Sequence, residues 1–390
     1  MLEIRVLTPE EIPLANPIWA QAFHHGERRD SVGDWVDTTH GKSYTCGVFD
    51  SAGLQAVVVV NDYRIYLADR AVVPMGGIGG VACMPAVRGK GYAGKCLEFT
   101  IAQMRETGHI TSTLFPFSFD YYRRFGWEWV GTKRDYSVSP TILPSSPETE
   151  FCRVATEQDT PAIRQMYETF VTQYRGCLQR AERAWDILKD RADHYTYTYL
   201  YERDGKAEGY LVIRHSKQDK TPIREFIALT GRAQRGLLGL LKRHTMQTDK
   251  FTWSAPIDDT LWSQFYHWDI GTTLQPCTQG RVVDFSPALE AWKPDADQSG
   301  SVVIALHDAN ADWNTGTWHV EFEAGNVTVK RTTATPQLSL DIQAMSQAYF
   351  GSPTLDAIRQ ADRLQVHDEQ GYQAFQNLMR GATMWMNDEF

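Results

Sequence analysis

Cysteine is scarce and scattered. Cys46, Cys83, Cys96, Cys152, Cys177 and Cys277 form no CxxC pair and have no histidine at zinc-finger spacing. That excludes a disulfide scaffold and a structural zinc, and it is the cysteine usage of a reduced, cytoplasmic protein. Long apolar runs are also missing: no stretch reaches the roughly 18 residues that a membrane-spanning helix needs. The segment Met1–Pro13 carries acidic residues and no apolar run of signal-peptide length, so no leader is expected. Positive charge is in deficit, with Lys+Arg 39 against Asp+Glu 48 and a net charge of −9. Such a surface repels phosphate polymers, which argues against a nucleic-acid binder and for cationic partners. Biased tracts are absent as well. A chain that is 42% hydrophobic and 22% charged folds, and 390 residues are too many for one ordinary core, so two or three domains are expected.

The pattern along the chain is mixed α/β. Leu2–Val6 reads as a strand and Thr8-Pro-Glu-Glu as the capped start of a helix reaching Phe23. Ser43–Phe49, Gln55–Tyr66 and Ile78–Cys83 read as strands, the last after a break at Pro74, Gly76 and Gly77. Gly89–Thr107 has helical spacing at Ala93, Leu97, Ile101 and Met104. A strand at Ile110–Phe115, a short helix and Trp127–Thr132 follow, and Ser139–Glu150 has linker composition. The order then starts again. A strand at Arg153 precedes a capped helix Thr160–Tyr174, and strands at Tyr195–Tyr201, Glu208–His215 and Glu225–Ala228 precede a helix Ala233–Met246 and a strand Phe251–Ala255. That is a weak internal repeat. The last hundred residues are α+β: strands Ser301–Leu306, Gly316–Glu323 and Asn326–Thr332, then helices Ile342–Phe350, Thr354–Ala361 and Tyr372–Met379.

The sharpest chemical signal is Val81-Ala-Cys-Met-Pro-Ala-Val-Arg-Gly-Lys-Gly-Tyr-Ala-Gly, a strand followed by a glycine-rich helix start. Such a turn aims unpaired N–H groups and the positive end of the helix dipole outward. Gly89, Gly91 and Gly94 clear side chains so that a pyrophosphate can approach the backbone. The spacing is neither a P-loop nor the dinucleotide GxGxxG, and close helix packing is the alternative use of such glycines.

Arg88-Gly-Lys-Gly-Tyr-Ala resembles the acetyl-coenzyme A loop of the GNAT N-acetyltransferases, and the wider chain resembles their enhanced-intracellular-survival (Eis-type) branch. Phe119-Asp-Tyr-Tyr-Arg-Arg-Phe-Gly-Trp is similar to that branch's tyrosine segment. Asn314-x-Gly-Thr-Trp and Leu338-Ser-Leu-Asp-Ile resemble its sterol-carrier-type domain, and the chain ends Glu389-Phe390 as its members do. The resemblance implies two tandem GNAT-like domains of mixed sheet and flanking helices, at 1–148 and 149–287. A sterol-carrier-like α+β domain at 288–390 completes the chain. It implies acetyl-CoA as co-substrate, no metal, and transfer to primary amines of cationic acceptors, aminoglycosides or lysine-like amines including lysine peptides. A hexamer is implied too. By the family pattern Val81, Ala82 and Cys83 pair with the pantetheine arm. Arg88, Gly89, Lys90, Gly91, Tyr92, Ala93 and Gly94 form the pyrophosphate loop, and Phe117 and Ser118 lie beside the thiol end. The second unit keeps Gly231-Arg-Ala-Gln-Arg-Gly but has Arg235 where the loop glycine should stand, so one active site per chain is expected.

Acetyl transfer to an amine needs a proton acceptor for the amine, a polarised carbonyl and a proton for the leaving thiolate. A backbone N–H of the Val81–Cys83 edge suits the carbonyl. The resemblance makes Tyr122 the general acid and the terminal carboxylate of Phe390 the general base, held in the active site by the third domain. Without it, Tyr121 and Tyr122 read as core aromatics of an amphipathic turn. Asp34 and Trp35, with Glu27 and Asp30, make an acidic segment able to grip a cationic acceptor or simply to be solvated, and Glu389 is a further acceptor-binding candidate. His24-His25 has no ligand partner at helical spacing. The rival class is a carrier of lipid or another hydrophobic ligand, with the GNAT units as scaffolds.

Overall fold

The computed structural model describes residues 2–23, 43–189, 195–215, 220–265, 267–268 and 270–390. The chain divides into two units, Met1–Gly131 with Cys277–Phe390, and Thr132–Pro276.

In the first unit β1 (Glu3–Val6), β2 (Tyr44–Asp50), β3 (Gly53–Leu67) and β4 (Ala71–Cys83) are successive antiparallel neighbours. Helix α1 (Asn16–Phe23) lies between β1 and β2 in sequence, and α2 (Tyr92–Glu106) follows β4. Strand β5 (Thr111–Leu114) then runs parallel to β4, and α3 (Phe119–Arg123) leads into β6 (Glu128–Val138). Both faces of β3 are covered, which is why Val57–Val60 is a continuous apolar run rather than an alternating one. Val57 and Val59 pack with Ile18 and Trp19 of α1, while Val58 and Val60 pack with Leu97, Ile101 and Met104 of α2.

Strand β4 is continuous through Pro74, Gly76 and Gly77, where a break was expected. Pro74 precedes the first residue paired with β5, Met75, so the parallel ladder demands no N–H of it. The glycines serve close packing instead. A Cβ on Gly76 would lie 2.5 Å from the Met104 sulfur, and one on Gly77 would lie 2.8 Å from the Phe390 ring.

The second unit repeats the order. It holds β7 (Cys152–Val154), α4 (Thr160–Val171), β8 (Arg175–Leu178), β9 (Tyr195–Arg203), β10 (Lys206–His215), β11 (Lys220–Ala228), α5 (Gly231–Lys242) and β12 (Lys250–Pro256). As with β3, β4, α2 and β5, the antiparallel pair β10–β11 is followed by a helix and then by a strand parallel to β11. The proline-rich stretch after β6, expected as a linker, folds onto α5. Leu143 and Thr149 are buried, and Lys242 Nζ donates to the carbonyls of Thr141 and Leu143.

Strand β13 (Gly271–Val282), which the sequence pattern did not reveal, joins β5 with Gln279 opposite Leu114. Its outer half reads as polar turn sequence, Thr-Thr-Leu-Gln-Pro, and its pairing is set by distant partners. Beyond α6 (Phe285–Ala291) come β14 (Ser299–His307), β15 (Gly316–Glu323), β16 (Asn326–Arg331), β17 (Leu338–Asp341), α7 (Ile342–Phe350), α8 (Leu355–Gln360), β18 (Leu364–Val366) and α9 (Glu369–Met379). Their sheet runs β16-β15-β14-β17-β18; four strands precede α7 as expected, while the short β18 falls between α8 and α9.

Candidate active site

Strands β4 and β5 pair only from Met75 to Ile78 of β4, so Gly79–Cys83 run on with no β5 partner. Beyond Leu114 the chain leaves the sheet through Phe115-Pro-Phe-Ser into α3. On the β3 side Val57 faces Ala82 and Val59 faces Gly79, so β4 bulges at Gly80 and Val81. Bulges are a device for re-aiming backbone beside an active site. This one is pinned by the buried Trp19, whose indole N–H donates to the Gly80 carbonyl at 2.7 Å. Gly80 has φ +55°, and a Cβ there would lie 2.9 Å from the Trp19 ring nitrogen. No local signal in the sequence links Trp19 to this strand.

After Cys83 a short turn at Pro85–Val87 leads to α2, whose N-cap is Gly91 in the left-handed conformation with no side-chain cap. Gly89 and Gly91 have φ +81° and +79°, and a Cβ on either would meet nothing within 4 Å. These glycines therefore supply conformation and open space, which is what an anion needs to reach the first N–H groups of a helix. Arg88, Lys90 and Lys95 are exposed and make no ion pair among the described residues. Gly94 is different. A Cβ there would lie 3.0 Å from the Phe125 ring, so its role is to seat α2 on the α3 segment. Tyr92 and Ala93 open α2, and the Tyr92 hydroxyl donates to Asp50 at 3.2 Å.

Ser118 caps α3, its hydroxyl accepting from the Tyr121 N–H at 3.4 Å. Phe117, beside it, is 73% exposed. Tyr122 is buried, with its ring 5.3 Å from Phe117 and 5.2 Å from Tyr121. It belongs to the cluster against which Val81, Cys83 and Tyr92 pack. Burial pushes its phenol well above the ordinary value, so the hydroxyl stays protonated through neutral pH. Among the described residues that hydroxyl makes no hydrogen bond.

Phe390 packs into the same unit, its ring 5.0 Å from Tyr63 and 5.3 Å from Phe115. Of the acidic pair before it, Asp388 is buried and Glu389 exposed. Asp34, Trp35, Glu27, Asp30 and His24-His25 lie outside the described residues.

In the second unit the matching helix start is already occupied. Thr230 caps α5, accepting from the Ala233 N–H at 3.2 Å and donating to Glu208 at 2.9 Å. Arg232 grips the same carboxylate at 2.7 and 2.6 Å and, as the largest influence, holds Glu208 below its ordinary range. Gly236 is a packing residue, since a Cβ would lie 2.6 Å from the Tyr201 ring and 3.0 Å from the Glu148 carbonyl. Arg235 is exposed on the helix itself.

A strand that splays from its parallel neighbour, followed by an uncapped glycine helix start, is the architecture of a GNAT acyltransferase, and the comparisons agree. Residues 3–130 and 176–282 match acetyltransferase (GNAT) domains, and residues 286–387 match a sterol carrier protein domain. By its domains the chain is an enzyme of the N-acetyltransferase class, and GNAT domains use acetyl-CoA. No protein of curated function matches the chain. Among solved structures it resembles a GCN5-related N-acetyltransferase from Anabaena variabilis ATCC 29413, at 19% identity and a TM-score of 0.90. It also resembles a conserved protein of unknown function and probable N-acyltransferase from Enterococcus faecalis V583, at 21% and 0.89. Eis1 from Mycobacterium abscessus is similar at 18% and 0.80. Each likeness covers 100% of both chains, and at these identities it is one of fold. Among the described residues no helix is long and apolar enough to cross a membrane, and no cluster of His, Cys, Asp and Glu is arranged for a metal.

Proposed function

We propose that the protein is an acetyl-CoA-dependent N-acetyltransferase of the Eis type. Its one active site lies in residues 1–148, and its acceptors are primary amines of cationic molecules, aminoglycoside-like or lysine-like. The observation that carries this reading is the pairing of two features: an open, left-handed glycine start to α2, and a β4 edge left free beyond Ile78. The occupied start of α5 supports a second unit (149–287) without coenzyme, and residues 288–390 act as the sterol-carrier-like module that carries Phe390.

Acetyl-CoA supplies an activated acetyl group on a thioester. Arg88, Lys90 and the N–H groups of Gly89–Gly94 bind the pyrophosphate. The edge Val81–Cys83 holds the pantetheine arm, and an N–H of the bulge polarises the carbonyl, as oxyanion-hole donors do. Phe117 and Ser118 border the thiol end. Tyr122 donates a hydrogen bond toward the departing sulfur. A phenol whose proton is held this firmly gives that proton up only as negative charge gathers on its partner, which ties transfer to bond breaking. The α-carboxylate of Phe390 takes the proton of the acceptor amine.

The acidic balance of the chain favours a cationic acceptor, and Asp34, Trp35 and Glu389 are its candidate contacts. The scattered spacing of the six cysteines, with no CxxC pair, supports a cytoplasmic location. The hexamer rests on the family resemblance alone. The test is an acceptor screen that follows free thiol release from acetyl-CoA with aminoglycosides, polyamines and lysine peptides. Thiol release with none of them, despite bound acetyl-CoA, would refute the acceptor class.

A further inference from the structure

Helix α3 has five residues, too few to hold itself together in isolation, and it ends in tight turns in which the Phe125 N–H donates to the Tyr122 carbonyl at 2.9 Å and the Gly126 N–H to that of Arg123 at 3.1 Å. Carbonyls along the segment 119–127, from the first residue of α3 to the residue before β6, also accept from side chains of the distant C-terminal half of the chain. Gln279 of β13 donates its amide to the Phe119 carbonyl at 3.1 Å and to that of Trp127 at 3.2 Å. Gln343 of α7 donates to Arg123 at 3.0 Å, Asn310 of the β14–β15 turn to Arg124 at 2.8 Å, and Arg281 of β13 to Phe125 at 2.7 Å.

The donors are themselves fixed. Arg281 is wholly buried with Asp308, which accepts from it at 2.7 Å and from Asn314 at 3.0 Å. Asp308 also accepts the Asn310 backbone N–H at 3.1 Å. Gly126, with φ +86°, is where the Arg281 guanidinium crosses the chain, and a Cβ there would collide with it.

The hydroxyl end of Tyr122, in contrast, makes no hydrogen bond among the described residues. Where that hydroxyl sits is therefore set from the backbone side and by ring packing alone.

We propose that Gln279, Arg281, Asn310 and Gln343 are positioning residues, a clamp through which β13 and the sterol-carrier-like module together aim Tyr122. The role of both at this site is then mechanical: they fix the donor's reach. This rests on the reading of Tyr122 as the acid, and the experiment separates the two.

Asn310→Ala and Gln343→Ala remove partly exposed clamp members, so the full-length protein should fold. Hydrogen exchange on the coenzyme-free protein is expected to speed up at the amides of 119–127 and to stay unchanged in α7. Turnover should fall about three- to tenfold per variant, the worth of one hydrogen bond of about 1 kcal/mol, with an unchanged acetyl-CoA KM. Combined with Tyr122→Phe, neither variant should lower turnover further. Unaltered exchange at 119–127, or a full additional loss in the Tyr122→Phe background, overturns the clamp. Full turnover of Tyr122→Phe alone overturns the acid, and the exchange result still decides whether α3 is held this way.

Discussion

The Phe390 ring stands over Gly77, so close that a single added methyl would lie 2.8 Å from it and 2.7 Å from the neighbouring Tyr63 ring, whose centroid is 5.0 Å from that of Phe390. The last residue of the chain is thus seated on the strand whose continuation forms the splayed edge.

Gly77→Ala is expected to push Phe390 off this seat. Turnover should fall at least tenfold while the acetyl-CoA dissociation constant holds, since the loop and the β4 edge are untouched. Residues added after Phe390 should do the same by converting its carboxylate to an amide, whereas Phe390→Leu keeps both the carboxylate and an apolar anchor. Steady-state kinetics of the three proteins decide it. Normal rates with the extension would remove Phe390 from the chemistry.

Gly91→Val places a branched side chain at φ +79°, a strain of about 1–3 kcal/mol, and fills the open space before α2. Calorimetry should find one acetyl-CoA per wild-type chain and a dissociation constant raised at least tenfold in the variant. Two equivalents per wild-type chain would contradict the single-site reading. Gly236 is no control here, because a side chain there strikes Tyr201 and the Glu148 carbonyl.

Tyr122→Phe should cost about two to four decades of turnover, the usual worth of acid–base assistance, with coenzyme affinity kept. The pH dependence has a definite sign. The phenol acts in its protonated form and burial raises its pKa, so wild-type turnover should not decline through loss of that proton below about pH 10, the ordinary phenol value. An alkaline fall near neutrality that vanishes in Tyr122→Phe would contradict this.

Acetyl-CoA at about 100 times its dissociation constant should stabilise the chain by about 2.7 kcal/mol, read from denaturant unfolding, and a long-chain fatty acid should not. The reverse pattern would favour a hydrophobic-ligand carrier.

Much of this site is local in sequence. Gly89 and Gly91 are required by the left-handed turn they make, and a strand, a turn and a helical period flank them within about twenty residues. The Ser118 cap and Gly126 bracket α3 in the same way. The run Val57–Val60 announces a strand covered on both faces, and the β4-α2-β5 order recurs as β11-α5-β12. Signals of this kind are short-range: steric limits on φ, caps and hydrophobic period act over a few residues.

Other features depended on partners far along the chain. Pro74, Gly76 and Gly77 read as a break, yet Met104, Tyr63 and Phe390 make that segment the middle of β4. Gly94 reads as a loop glycine, yet Phe125 makes it a packing residue. Strand β13, the Trp19 anchor on the Gly80 bulge and the carbonyl clamp on α3 left no trace in any window. Buried hydrogen bonds between residues 156 apart, such as Arg281 to Phe125, are satisfied only when the chain has closed. The sequence by itself determined most of the helix and strand segments and where an anion could meet a helix start. Only the tertiary structure decided what each glycine makes room for and which distant side chains hold Tyr122, because burial and long-range hydrogen bonding exist only in the folded chain.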